Sequence, residues 1–135
     1  MKNFKTIAVV AVVVTAVAVA VVAVVQWQKN SKILAVMDTH RLAVANKFLD
    51  PESVKFRSMK GYTHLNATGE TMYALCGESN AKNGFGAYTG YKRFVVTARA
   101  AKPDPSVFLG DPDSDMDGPT EKICQGKLIY TGPTD

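Results

Sequence analysis

The chain has 135 residues, 47% of them hydrophobic, and 16 Lys and Arg against 12 Asp and Glu give a formal charge of +4 at pH 7. Its mean hydropathy of −0.02 averages two unlike parts, because residues 7–25 contain only Ile, Val, Ala and one Thr while the rest is ordinary and mixed in charge. That pattern excludes a multidomain enzyme, a polytopic transporter and a disordered acidic tail, and leaves one apolar segment attached to one small domain.

The apolar run comes first. Nineteen residues at the helical rise make a segment of roughly 28 Å, close to the hydrocarbon thickness of a bilayer. Its eleven Val and one Ile contribute about −4 kcal/mol of apparent insertion energy. Valine is a mediocre helix former in water, but in lipid only the helix pairs every backbone amide within the segment. Trp27, between Gln26 and Gln28, suits the far interface, where an indole keeps its ring apolar and its N–H wet. The bilayer, through residues 7–25, is therefore an expected partner. A cleaved signal peptide is the competing reading: Lys2 and Lys5 form a positive leader, and Ala16-Val17-Ala18 and Ala18-Val19-Ala20 fit the small-x-small cleavage pattern. Against cleavage, the apolar run continues five residues beyond Ala20 without a polar turn. The short N-terminus favours its retention inside, with the domain outside the cytoplasm.

From Ser31 to Leu49 the period is helical, with Ile33, Met37, Val44 and Phe48 on one face and Leu34, Ala45 and Leu49 beside it. Arg41 falls inside that stripe, so the helix is expected to pack on a sheet with Arg41 reaching out to water. His40 lies at the edge of the stripe and reads as an exposed or marginal imidazole. Asp50-Pro51 ends the helix, since the residue before proline leaves the α region. The period then changes to two: Val54, Phe56 and Ser58 alternate with outward Lys55, Arg57 and Met59. Gly61 and the Thr63–Gly69 stretch read as turn or loop, Thr71 to Gly77 as a second strand, and Asn80 to Gly90 as an Asn/Gly-rich connection. Tyr91 to Ala100 is the longest strand candidate, with Phe94, Val96 and Ala98 on one face; Val107–Leu109 and Lys127–Tyr130 are short apolar pieces. The expectation is an α+β fold: an anchor over 1–28, an amphipathic helix over 29–49, and a small antiparallel sheet domain over 50–135.

Lys55, Arg57 and Lys60 are the one dense basic group, and Lys55 and Arg57 alternate outward as a solvated strand face does, so no nucleic acid is expected. Cys76 and Cys124 are the two cysteines, and in an exported domain they read as a structural disulfide rather than a reactive thiol pair. Asp113, Asp115, Asp117 and Gly118 match the first half of a calcium loop, with Glu121 at its ninth position. The twelfth position, normally a bidentate Glu, is Cys124, and Pro112 and Pro119 disfavour the usual geometry. A solvated acidic loop is preferred to a weak calcium site, and no other cofactor is expected. No catalytic constellation is visible: His40 and His64 have neither metal nor triad spacing, and Asn83-Gly84-Phe85-Gly86 lacks the Lys-Ser/Thr of a phosphate-cradling loop. An enzyme would need carboxylates such as Glu70 and Glu78 to meet in a pocket.

The run Asp50-Pro51-Glu52-Ser53-Val54-Lys55-Phe56 and the run from Cys76 to Phe94, of pattern CGxxNxKNxFGxYxGxxxF, resemble segments of small, uncharacterised Gram-negative envelope proteins. The resemblance covers roughly residues 47 to 98. It implies an envelope setting and a compact domain with a structurally demanding Asn/Gly loop, and it carries no catalytic residues. Most such proteins are exported by a signal peptide or lipid anchor, and the longer Val/Ala segment here departs from that. Taken together, the expectation is a single-pass inner-membrane protein with a periplasmic C-terminal domain and a non-enzymatic role with an envelope protein partner. The alternative is a periplasmic or secreted binding domain freed by cleavage, with a weak calcium loop.

Overall fold

The computed structural model describes residues 2–110 and 122–133. The chain divides into two compact units, Met1–Ile33 and Leu34–Asp135, and one α-helix, α1 (Lys2–Ala45), contributes to both.

In the first unit the helix stands unburied. Its side chains from Ile7 to Val25 lie open along the whole apolar run, and its most apolar window has a mean hydropathy of 3.1. The helix is thus long and apolar enough to cross a membrane or to serve as a signal sequence. Thr15 does not interrupt it, because its Oγ1 donates to the Val12 carbonyl at 2.9 Å, which leaves no orphan hydroxyl for lipid to solvate.

In the second unit the remainder of α1 lies on a five-stranded antiparallel sheet of order β4-β3-β2-β1-β5. The strands are β1 (Lys55–Leu65), β2 (Thr71–Asn80), β3 (Lys92–Arg99), β4 (Lys102–Leu109) and β5 (Lys127–Thr131). This is the expected α+β layout. The helix ends at Ala45, four residues before Leu49: Lys47 N–H bonds the Val44 carbonyl and Phe48 N–H the Ala45 carbonyl, each at 3.0 Å, a tightened turn that closes the last carbonyls.

The core lies between helix and sheet. Met37, His40, Val44 and Ala45 face Leu75, Phe94, Val96 and Ala98, all of them buried. The helical stripe is therefore rotated from the expected one. Arg41 stands outside it, paired with Asp38 at 3.5 Å, and His40, expected at the edge, is only 2% exposed. The face seen by the sheet follows the 37–40–44 row, three and four residues apart, and this row admits the imidazole and leaves out the guanidinium.

Two features of β1 depart from simple alternation. Between Arg57, opposite Glu78, and Lys60, opposite Cys76, β1 has two residues where β2 has one. At this bulge Ser58 takes a positive φ of 53°, so Ser58 turns outward and Met59 inward, the reverse of the expected faces. The residue opposite is Gly77, where a Cβ would come within 3.0 Å of the Phe94 ring and 3.2 Å of the β1 backbone. Gly61, expected in a turn, lies inside β1. A Cβ there would sit 2.6 Å from Met37 Sδ and 2.9 Å from Tyr130 Cβ, so the glycine marks where the helix comes down on the sheet.

The register puts Cys76 and Val95 on the sheet face opposite the helix. Cys76 is bonded there to Cys124, with the Cα atoms 6.1 Å apart across a sequence separation of 48. Closing a loop of that size is worth about 4 kcal/mol on the chain-entropy estimate.

Candidate functional site

The two motif runs meet in space, and Ser53 is the joint. Asp50 caps a 3-10 turn (Pro51–Ser53), its carboxylate accepting from Ser53 N–H at 3.3 Å. The Ser53 hydroxyl donates to the Asp50 carbonyl at 2.8 Å and accepts from Lys82 N–H at 3.0 Å. The Tyr88 hydroxyl donates to the Ser53 carbonyl at 3.1 Å. Within the 81–91 connection, Asn83 Oδ1 accepts from Phe85 N–H at 3.0 Å and Ala87 N–H at 3.1 Å. Asn80 Oδ1 closes the loop by accepting from Gly90 N–H at 3.1 Å. Gly86 and Gly90 adopt φ of 80° and 99°, where a side chain would be strained. Most of the pattern is thus explained by the fold.

The aromatic residues separate. Phe94 is core and meets Phe56 edge-on at 5.8 Å. Tyr91 lies under Arg57, 3.9 Å from ring centroid to guanidinium, and Arg57 Nε is held by Glu78 at 2.7 Å. That hydrogen bond keeps the exposed guanidinium still more firmly protonated. Tyr88 has the Lys55 ammonium 4.6 Å and the Lys82 ammonium 5.9 Å from its ring centroid. Phe85 is 98% exposed at the loop tip.

This loop forms one wall of a cleft of about 330 Å³, within the size range of small-ligand sites. The turn after α1 supplies Lys47, Phe48 and Leu49; the end of β2 and the loop supply Ser79, Ala81, Lys82, Asn83, Thr89 and Gly90. Lys92 at the start of β3, with Leu109 and Gly110 after β4, completes it. Antiparallel pairing explains the convergence, since β2 and β4 end where β3 begins. Lys47, Lys82 and Lys92 are among its lining residues, and Lys92 is engaged in an interaction of its own. Ser79, 1% exposed, belongs to the lining, and its hydroxyl has no hydrogen-bond partner among the described residues. An unsatisfied buried hydroxyl costs about 1–3 kcal/mol.

A smaller cavity of about 60 Å³ adjoins His40, lined also by Val36, Thr39, Tyr73, Ala98, Arg99 and Ala100. His40 Nδ1 bonds the Val36 carbonyl at 2.8 Å, while Nε2 has no hydrogen-bond partner among the described residues. Burial pushes the His40 pKa down, against smaller opposing contributions from the Val36 and Tyr73 backbone.

Glu70 and Glu78 do not meet. Glu78 is held by Arg57, whereas Glu70 accepts from Asn66 Nδ2 at 3.0 Å and lies 3.8 Å from Arg99. Eight positions along extended chain separate them by roughly 27 Å. The calcium-loop residues Asp113, Asp115, Asp117 and Glu121 lie outside the described residues; among those described, no group of three His, Cys, Asp or Glu could hold a metal ion. The cleft had no single sequence signature, because its lysines come from three separate segments. Lys82, inside the Asn/Gly pattern, was the one visible pointer.

No protein-family model, curated protein or solved structure matches this chain.

Proposed function

We propose that this chain is a single-pass envelope protein. Its apolar helix is retained in the inner membrane, and its sheet domain serves outside the cytoplasm as a non-enzymatic interaction or structural module. The observation that carries the reading is the Cys76–Cys124 bond in the same chain as an unburied apolar helix. A disulfide persists in an oxidising compartment, and an exposed apolar helix of this length persists in lipid. The resemblance of the 50–56 and 76–94 runs to Gram-negative envelope proteins supports the same setting.

The test is a pair of C-terminal fusions in a Gram-negative host. A phosphatase fusion that is active, beside a green fluorescent fusion that stays dark, agrees with a domain outside the cytoplasm. The reverse pattern refutes it. Crosslinking the full chain in its native membrane then identifies the envelope partner.

A further inference from the structure

We propose that Phe85 is the anchor of a docking surface for a protein partner that offers an apolar socket flanked by carboxylates. Other side chains of the 76–94 run serve the fold: Asn80 and Asn83 close the loop, Tyr88 ties it to Ser53, and Phe94 is core. Phe85 has no such task, since its ring is 98% exposed. Yet the backbone beneath it is held firmly. Asn83 Oδ1 accepts from Phe85 N–H and Ala87 N–H. Asn83 N–H donates to the Ala87 carbonyl at 2.8 Å, and Gly86 N–H to the Asn83 carbonyl at 2.9 Å. A tip fixed in this way presents its ring with little backbone left to order on binding, and aromatic rings seated in pockets are the residues that carry most binding energy at protein interfaces.

The surroundings of the ring give the chemistry of the partner. At the base of the loop the Lys55 and Lys82 ammonium groups lie 4.6 and 5.9 Å from the Tyr88 ring centroid. Neither forms an ion pair among the described residues, with Glu52 of the adjoining turn or with any other carboxylate. Both cations are therefore available to acidic side chains across an interface, where complementary charge sets partner choice. The base of the loop also borders the turn after α1, since Lys82 and Asn83 line one cleft with Lys47, Phe48 and Leu49. The sheet unit begins at Leu34 and its helical stretch ends at Ala45, so the loop stands at the end of this unit away from its junction with the apolar segment. A protein, rather than the lipid around that segment, is the occupant that fits. This role rests on the domain being an interaction module, and the two readings fail separately in their tests.

The test replaces Phe85 by the photocrosslinker p-benzoylphenylalanine in the full chain, in its native membrane, with the same probe at Leu65, exposed at the far end of β1, as the control. One discrete protein adduct is expected from position 85 and none of that size from position 65. The crosslinked partner peptide should place apolar residues beside Asp or Glu. Lys55→Glu/Lys82→Glu should reduce the adduct about tenfold, and changing the partner's carboxylates to lysine should restore it. With the probe moved to Gly84, where a side chain meets nothing within 4 Å, Phe85→Ala should reduce the yield about tenfold or more at an unchanged Tm. No adduct, an adduct to lipid, an adduct of twice the chain mass, or one insensitive to charge reversal overturns the proposal. Loss of the adduct while the fusions still report a domain outside the cytoplasm refutes the tip alone; fusions reporting the inside, with the adduct intact, refute the envelope setting alone.

Discussion

Gly61→Ala is the most direct probe of how the helix meets the sheet. The new methyl would lie 2.6 Å from Met37 Sδ and 2.9 Å from Tyr130 Cβ, against about 3.5–4.0 Å for relaxed carbon contacts. Met37 is 2% exposed and has little room to retreat, and Tyr130 Cβ is fixed to the β5 backbone. Overpacking of this kind costs about 1–3 kcal/mol. The lower flexibility of alanine in the unfolded chain returns about 0.4–1 kcal/mol. The net loss is therefore about 1–2 kcal/mol, a Tm decrease of roughly 4–15 °C for a domain of this size. The assay is thermal unfolding of the full chain in neutral detergent, followed by tyrosine near-UV circular dichroism. Gly84→Ala, where a Cβ meets nothing within 4 Å, is the control and should stay within about 0.5 kcal/mol. Met37→Ala should cost less in the Gly61→Ala background than alone, because the new methyl fills part of the void, with a coupling of about 1 kcal/mol. A Gly61→Ala Tm equal to the control, with strict additivity in the double variant, refutes the packing.

Three further outcomes follow from the same geometry. His40 is neutral in the folded protein and its pKa lies below the ordinary value of about 6.5, so the folded state binds fewer protons than the unfolded one. Stability is complete above that value and declines as pH falls through it toward the folded pKa, because burial disfavours the imidazolium. His40→Leu should flatten the decline between pH 7 and 5 in urea titrations. Cys76→Ala/Cys124→Ala should lose about 4 kcal/mol, measured by the same unfolding assay, and reductant should reproduce the loss in the parent protein. Phe85→Ala should leave stability within about 0.5 kcal/mol because nothing packs on the ring. Asn83→Ala, which releases two loop amides, should cost about 1–2 kcal/mol.

The apolar helix, the alternation of Phe94, Val96 and Ala98, and the cysteine pair were readable because each is a local pattern with one physical solution. The first strand was not. Ser58 and Met59 exchange faces at a bulge, and a bulge is set by what lies across the ladder, here the space that Gly77 leaves beside Phe94. Gly61 carries the usual mark of a turn, yet its cause is the sulfur of a residue 24 positions earlier. His40 and Arg41 differ by one step around the helix, 100° in angle, so a small error in the orientation of the stripe exchanged a buried residue for a solvated one. The cleft is the extreme case: Lys47, Ser79, Lys82 and Lys92 meet only because antiparallel strands bring their ends together under the helix terminus.

Retention of the leader above a disulfide-bonded domain is tested most directly by intact mass, thiol labelling and carbonate extraction on protein from its native host. The expected result is a membrane-retained chain of 14.6 kDa that takes up no alkylating reagent until it is reduced. A product lighter by roughly 2 kDa, cleaved near Ala18 or Ala20 and released from the membrane, would contradict retention. Two thiols labelled without reduction would contradict an oxidising location.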